Sequence, residues 1–206
     1  MKKVYKKNNL DKFFKNKKEI YFESYTKYLS LLLKRLPNKK INKFITKVIK
    51  TTKTGNMIYV AGNGGSASTA NHFAIDFMMA TNGLRKKIRC ISLNSNEAVV
   101  TAIANDFDYK YVFSKQLEFL GKKGDILIVI SASGNSENLL NAIKYAKKNR
   151  IFTVSFTSFD GGKIGKISDL DINIKTEIDE YGPAEDAHLI LNHVITTYVN
   201  KMINLK

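Results

Sequence analysis

The chain has 206 residues, 44% apolar and 25% charged, a composition that suits one folded domain of ordinary size and not a disordered chain. Its formal net charge of +16 comes from 34 Lys and Arg against 18 Asp and Glu, and 30 of those cations are lysines. A single cysteine, Cys90, excludes an intramolecular disulfide framework, and no apolar run approaches the ~20 residues of a membrane-spanning helix.

The charge sits on the N-terminal quarter. Residues 1–53 carry 16 Lys and one Arg against Asp11, Glu19 and Glu23, whereas residues 54–206 carry a net charge of only +2. The opening MKKVYKKNNL is basic but leads into no apolar core with a cleavage site, so no signal peptide is expected and the protein is read as cytoplasmic. Residues 1–16 are expected to be frayed or loosely docked. A helix is expected over about 17–36, with Ile20, Tyr21, Tyr25, Tyr28, Leu29, Leu32, Leu33 and Leu36 spread more broadly than one stripe. Pro37 breaks it. In the next helix Ile41, Phe44, Ile45, Val48 and Ile49 follow the spacing of one buried face, most of the lysines lie outside that stripe, and Gly55 is the stop. Nucleic-acid readers favour arginine, which is scarce here, and no nucleic-acid-binding signature accompanies the lysines. The basic quarter is therefore read as solvated faces around apolar ones, with neither a nucleic-acid nor a membrane partner.

From residue 57 the periodicity changes. Strands are expected at Met57–Ala61, Arg89–Leu93, Asp125–Ser131, Ile151–Phe156 and Leu170–Ile174. Helices are expected near 66–80, 96–104, 109–120, 136–148, 160–166 and 184–204. Continuous apolar strands alternating with helices imply a parallel sheet covered on both faces. The expected fold is α/β, a three-layer doubly wound sheet of five parallel strands, flavodoxin-like, with an N-terminal helical extension. We take residues 1–54 as the extension, whose apolar faces over 17–49 are expected to form an oligomer interface, and 55–206 as the ligand-binding sheet domain. Such folds bind ligands beyond the carboxyl ends of their strands, where the strand order switches.

Two strand ends carry candidate binding loops. The first reads Ala61-Gly62-Asn63-Gly64-Gly65-Ser66, with Ser66 placed to cap the following helix. It matches neither the dinucleotide fingerprint nor a P-loop. The third strand ends in Ser131-Ala132-Ser133-Gly134-Asn135-Ser136 before another helix. Hydroxyls, backbone N–H groups and a helix N-terminus there form a phosphate cradle without any lysine. Asn105 and Asp106 are placed to hold sugar hydroxyls, or to serve as a cap or turn.

Three histidines remain. His72 and Asp76 share a helix face four residues apart, and Glu185 and His193 are two turns apart on the last helix. Two imidazoles and two carboxylates suit a divalent ion such as Zn²⁺ or general acid–base work. His188 is offset from His193 and is read as structural, as is a buried Cys90.

GNGGSA with HFA (62–74), ANDFDYKYVFSKQLE (104–118), ISASGNSEN (130–138) and AEDAHLILNH (184–193) together resemble the sugar isomerase (SIS) domain family, in its phosphoheptose isomerase branch. The resemblance implies an aldose–ketose isomerase that interconverts sedoheptulose 7-phosphate and D-glycero-D-manno-heptose 7-phosphate through an enediolate, for surface-polysaccharide heptose. It implies substrate contacts from Asn63, Gly64, Gly65, Ser66, Asn105, Asp106 and Glu185. It implies a phosphate loop of Ser131, Ala132, Ser133 and Ser136, with Ala132 where the family usually has Thr. Zn²⁺ would be held by His72, Asp76, Glu185 and His193, with Asp76, Glu185 and His193 catalytic. Asp76 stands where the family has Glu, and Glu185 where it has Gln. The segment YGPAEDAH also departs from the family's RIQEAH. A homotetramer is implied as well. A non-catalytic sugar-phosphate-binding protein and an isomerase of another phosphosugar are the alternative readings.

Overall fold

The run ILIVIS has no exposed residue, so it can only lie at the middle of a sheet covered on both faces. In the computed structural model, which describes residues 8–14 and 18–204, it forms strand β3 (Ile126–Ser131). It is flanked by β1 (Met57–Gly62) on one side and β4 (Phe152–Ser158) on the other. Strands β2 (Arg89–Ser92) and β5 (Leu170–Ile174) close the edges, giving five parallel strands in the order β2-β1-β3-β4-β5. That is the expected doubly wound sheet. Its switch point lies between β1 and β3, the two strands whose ends carry the Gly-rich and Ser-rich loops.

Alternation along the strands divides the core into two layers. Ile58, Val60, Ile126, Ile128, Ile130, Val154, Phe156 and Ile172 face helices α3 (Asn38–Thr54), α4 (Gly65–Ala80) and α9 (Tyr181–Asn204). Tyr59, Ala61, Leu127 and Val129 face the other way. That layer is covered by α5 (Glu97–Asp106), α6 (Ser114–Leu120), α7 (Glu137–Lys148) and α8 (Gly162–Ile167). The stretch expected as one helix over 109–120 is a 3₁₀ turn at Tyr109–Tyr111 followed by α6. Helix α9 begins three residues earlier than expected, because Pro183 falls in its first turn, where a missing N–H is harmless.

The stripe of α3 is buried as expected: Ile41, Phe44, Ile45 and Val48 join the sheet's core, and Phe44 packs edge-on against Phe77 and Phe156. Gly55 ends the helix in the left-handed conformation, its N–H donating to Thr51 O at 2.8 Å. Helix α2 (Lys18–Lys34) buries only Leu32 fully, and Ile20, Phe22 and Leu31 remain exposed.

The expectation of a loosely docked N-terminus needs correcting over residues 8–14; residues 1–7 and 15–17 lie outside the described residues. Helix α1 (Asn9–Phe14) is tied to the start of α9. The Glu180 carboxylate, fully buried, accepts from Asn9 N–H at 2.8 Å, Tyr28 Oη at 2.5 Å and Glu177 N–H at 3.0 Å. A carboxyl group so deeply buried needs such partners. Burial and Glu180 together push the Tyr28 hydroxyl up to about 12. Tyr25 Oη donates to Asp186 Oδ2 at 2.6 Å in the same way. Among the described residues, no helix is long and apolar enough to cross a membrane.

Candidate functional site

The chain leaves β3 through Ser131–Ser136 and enters α7 with Ser136 as its N-cap. The Ser136 side chain makes no capping bond, so its hydroxyl and the N–H groups of Glu137 and Asn138 are free for a ligand, whereas Leu139 N–H donates to Asn138 Oδ1 at 2.9 Å. The loop is held from below. Ser131 Oγ accepts from Gly134 N–H at 3.1 Å, Ile164 N–H donates to Gly134 O at 2.8 Å, and Ser158 N–H donates to Ala132 O at 3.0 Å. Gly134 has φ +64°, and a Cβ there would run into the Gly161 carbonyl, so this bend demands glycine.

The β1 loop packs opposite. Asn63 and Asn138 exchange two amide hydrogen bonds of 2.9 Å, and Tyr109 Oη donates to Asn63 Oδ1 at 3.0 Å. Asn94 clamps Gly62 through its N–H and its carbonyl. The N-cap of α4 is Gly64; Ser66 lies buried inside the first turn instead of capping it. A Cβ on Gly65 would overlap the Glu185 carboxylate, which lies directly against that glycine.

Together these elements enclose a cavity of about 200 Å³ lined by Asn63, Ser66, Ile130, Ser131, Ala132, Ser133, Ser136, Tyr181 and Glu185. Residues from the N-terminal ends of three helices (α4, α7 and α9) meet here, and among the described residues no lysine or arginine lines it. Partial positive charge from converging helix ends, with serine hydroxyls as donors, makes an anion site without a formal cation. Burial, and secondly the neighbouring Asp186 carboxylate, push the Glu185 carboxyl above its ordinary value.

Two turns further along α9 is a second cluster. His72 Nε2 and His193 Nε2 lie 3.4 Å apart, and Asp76 Oδ2 lies 3.5 Å from the first and 3.9 Å from the second. Ligand atoms of a tetrahedral zinc site, each about 2.0–2.1 Å from the metal, are separated by roughly 3.4 Å. Two imidazole nitrogens and a carboxylate oxygen at these spacings fit a divalent cation and leave a coordination position for substrate or water. The triad borders a separate open concavity of about 360 Å³ that includes Met79, Thr196 and Asn200.

Two expected placements need correcting. Glu185 is not part of the triad within this chain: eight residues along α9 separate it from His193 by about 12 Å, and it belongs to the serine cavity. Asn105 and Asp106 end α5, are exposed, and bond to each other at 2.9 Å, outside the cavity lining. His188 is structural, as read: fully buried, its Nε2 lies 3.3 Å from Thr157 O and 3.4 Å from Ser158 Oγ. Burial pushes it down to about 4, against the smaller opposing effect of the Thr157 carbonyl. Cys90 is buried, which pushes its thiol far up and leaves it unreactive. Sequence reasoning missed Tyr181, Asn94, Tyr109 and Asn192 as members of the two sites. Asn138 was within reach, because it ends the quoted ISASGNSEN motif.

The chain matches the SIS domain model over residues 20–158. It is 37% identical over 162 residues to the phosphoheptose isomerase of Clostridium acetobutylicum, covering 79% of this chain and 82% of that one. It is 38% identical over 154 residues to the phosphoheptose isomerase of Helicobacter pylori, covering 75% and 79%. Among solved structures, the phosphoheptose isomerase of Neisseria gonorrhoeae superposes with a TM-score of 0.79 at 27% identity, covering 89% of this chain and 96% of that one. The one from Francisella tularensis gives 0.79 at 26%, covering 95% and 100%.

Proposed function

This chain belongs to the phosphoheptose isomerase family of SIS-domain proteins, and from that premise we propose that it interconverts sedoheptulose 7-phosphate and D-glycero-D-manno-heptose 7-phosphate. The observation that carries the reading is the serine cavity, an anion site built from helix ends and hydroxyls beside a carboxyl of raised affinity for protons.

The phosphate binds Ser131, Ser133, Ser136 and the free N–H groups of α7. This remote binding energy orients the open chain for reaction. A seven-carbon chain spans roughly 8 Å between its ends (bonds of about 1.5 Å), enough to carry the reacting carbons away from the cradle toward the triad. Asp76 is the base that removes the proton next to the carbonyl. Its Oδ1 has no hydrogen-bond partner among the described residues, whereas Oδ2 is engaged by Asn192 and the imidazoles. Asp76 returns the carbon proton to the adjacent carbon, and the His193 imidazole, where it is not holding a cation, supplies and withdraws the proton on the enediolate oxygen. Glu185 faces the sugar from the cavity wall. Its carboxyl oxygens accept hydrogen bonds from the sugar hydroxyls. His72, Asp76 and His193 would hold Zn²⁺, which when bound polarises the carbonyl oxygen as a Lewis acid.

The same reading makes the protein a cytoplasmic enzyme that feeds heptose synthesis for lipopolysaccharide or capsule, and a homotetramer. Ile75, Met78 and Met79 of α4 and Val194, Tyr198 and Met202 of α9 are exposed beside the triad, an apolar surface that a second copy of the chain would cover. The test is a coupled assay with sedoheptulose 7-phosphate and Zn²⁺. Turnover is expected; none, beside an active control enzyme, would overturn the proposal.

A further inference from the structure

Asp76 is gripped by a residue far from it in sequence. Asn192 on α9 is wholly buried, and its Nδ2 donates to Asp76 Oδ2 at 2.8 Å across 116 residues. A carboxylate oxygen only accepts, so the amide must present its nitrogen here. The amide oxygen is then turned away, and it has no hydrogen-bond partner among the described residues. A buried amide with half its capacity unmet works against stability, and because Asp76 is partly open to water, which can replace the lost donor, an apolar side chain of similar size at Asn192 would cost little. Stability alone therefore gives no reason for asparagine at this position.

The gripped oxygen supplies one. Oδ2 is the atom that faces both His72 and His193. Asp76 is also one methylene shorter than the Glu that the family resemblance puts there, so its carboxylate reaches less far from the helix. At 25% side-chain exposure it is free to turn toward water unless something holds it.

We propose that Asn192 is a positioning residue for the triad, its amide holding Asp76 Oδ2 where that oxygen and the two imidazole nitrogens together take a divalent cation. Hydrogen bonds to ligating carboxylates orient them and tune affinity in this way. The inference rests on reading the triad as a metal centre, and the experiment separates the two.

Zn²⁺ affinity is measured by competition with a chromogenic chelator on the full-length chain, alongside the metal-free Tm. Asn192→Leu is expected to weaken Zn²⁺ binding by about 10- to 100-fold while leaving the metal-free Tm unchanged or higher. A merely structural asparagine would lower Tm and leave affinity alone. If Asn192→Leu lowers Tm by overpacking, Asn192→Ala, which cannot overpack, decides by the same affinity measurement. Wild-type affinity retained by both variants overturns the role given to Asn192. A wild-type chain that binds no Zn²⁺ overturns the metal reading itself, and this inference with it.

Discussion

The serine cavity is enclosed by loops and helix ends of one chain, whereas the His72–Asp76–His193 triad lies open on two helices, its side chains 42%, 25% and 51% exposed. In the cavity several loop residues are fixed by neighbours: Gly134 by Ile164, Ala132 by Ser158, Asn63 by Asn138 and Tyr109. In the triad, among the described residues, only the Asp76 side chain has such an anchor, through Asn192. The difference matches the work each half would do. A phosphate is the same in substrate and product, so its site can be rigid and complete in advance. The reacting carbons change hybridisation and proton count, so the groups around them gain from an open approach.

Removing the base at the open end is the harshest way to test this division. Asp76→Asn keeps the side chain's size and removes its basicity. We expect kcat for sedoheptulose 7-phosphate to fall by about 10²–10⁴-fold, with phosphate-analogue binding to the cradle unchanged by equilibrium titration. Loss of that binding as well would show that the two halves do not act separately.

Acid strikes the other half first. His188 lies under the cradle, against Thr157 and Ser158, and Ser158 holds Ala132. Its proton affinity is depressed from the ordinary 6.5 to about 4. Between those values the unfolded chain binds more protons than the folded one, so stability falls with falling pH. The contribution is fully present above about pH 6.5 and lost by about pH 4, a change on the order of 3 kcal/mol. Urea unfolding from pH 7 to 4 measures it. His188→Gln should flatten that pH dependence, and hydrogen exchange at pH 5 should loosen residues 131–136 before the triad helices.

A milder change acts on the cradle alone. Ser133→Ala and Ser136→Ala each delete a hydroxyl that meets a charged phosphate, worth about 1.5–3 kcal/mol. KM should rise by roughly tenfold or more for each, with Zn²⁺ affinity untouched. An unchanged KM would remove the phosphate from this loop.

The two halves were also unequally legible in the sequence. The cradle is a local feature: a strand, a Ser- and Gly-rich turn and a helix occupy consecutive residues, so spacing alone places Ser131, Ser133 and Ser136. The strands were legible for the same reason, since ILIVI needs burial on both faces whatever its neighbours are. Features that depend on distant partners were not. Asn192 meets Asp76 across 116 residues and Asn9 meets Glu180 across 171, and no periodicity encodes either contact. Tyr181 enters the cavity only because α9 starts before Pro183, a boundary that the Gly-Pro pair conceals. Glu185 misled in the opposite sense: a shared helix face with His193 suggested one centre, but the rise of two turns puts it in the other.

Glu185 therefore sits on the boundary between the halves, and its substitution has the smallest expected effect of the four. Burial and Asp186 raise its affinity for protons. Glutamine keeps an acceptor oxygen at nearly the same size. If Glu185 only binds sugar, Glu185→Gln should change kcat/KM by less than about threefold, far below the loss of a general base. A fall of 10²-fold or more in kcat, with KM unchanged, would instead make Glu185 a second catalytic base. The enclosed half would then take part in the chemistry, and the division between a rigid binding end and an open reacting end would not hold.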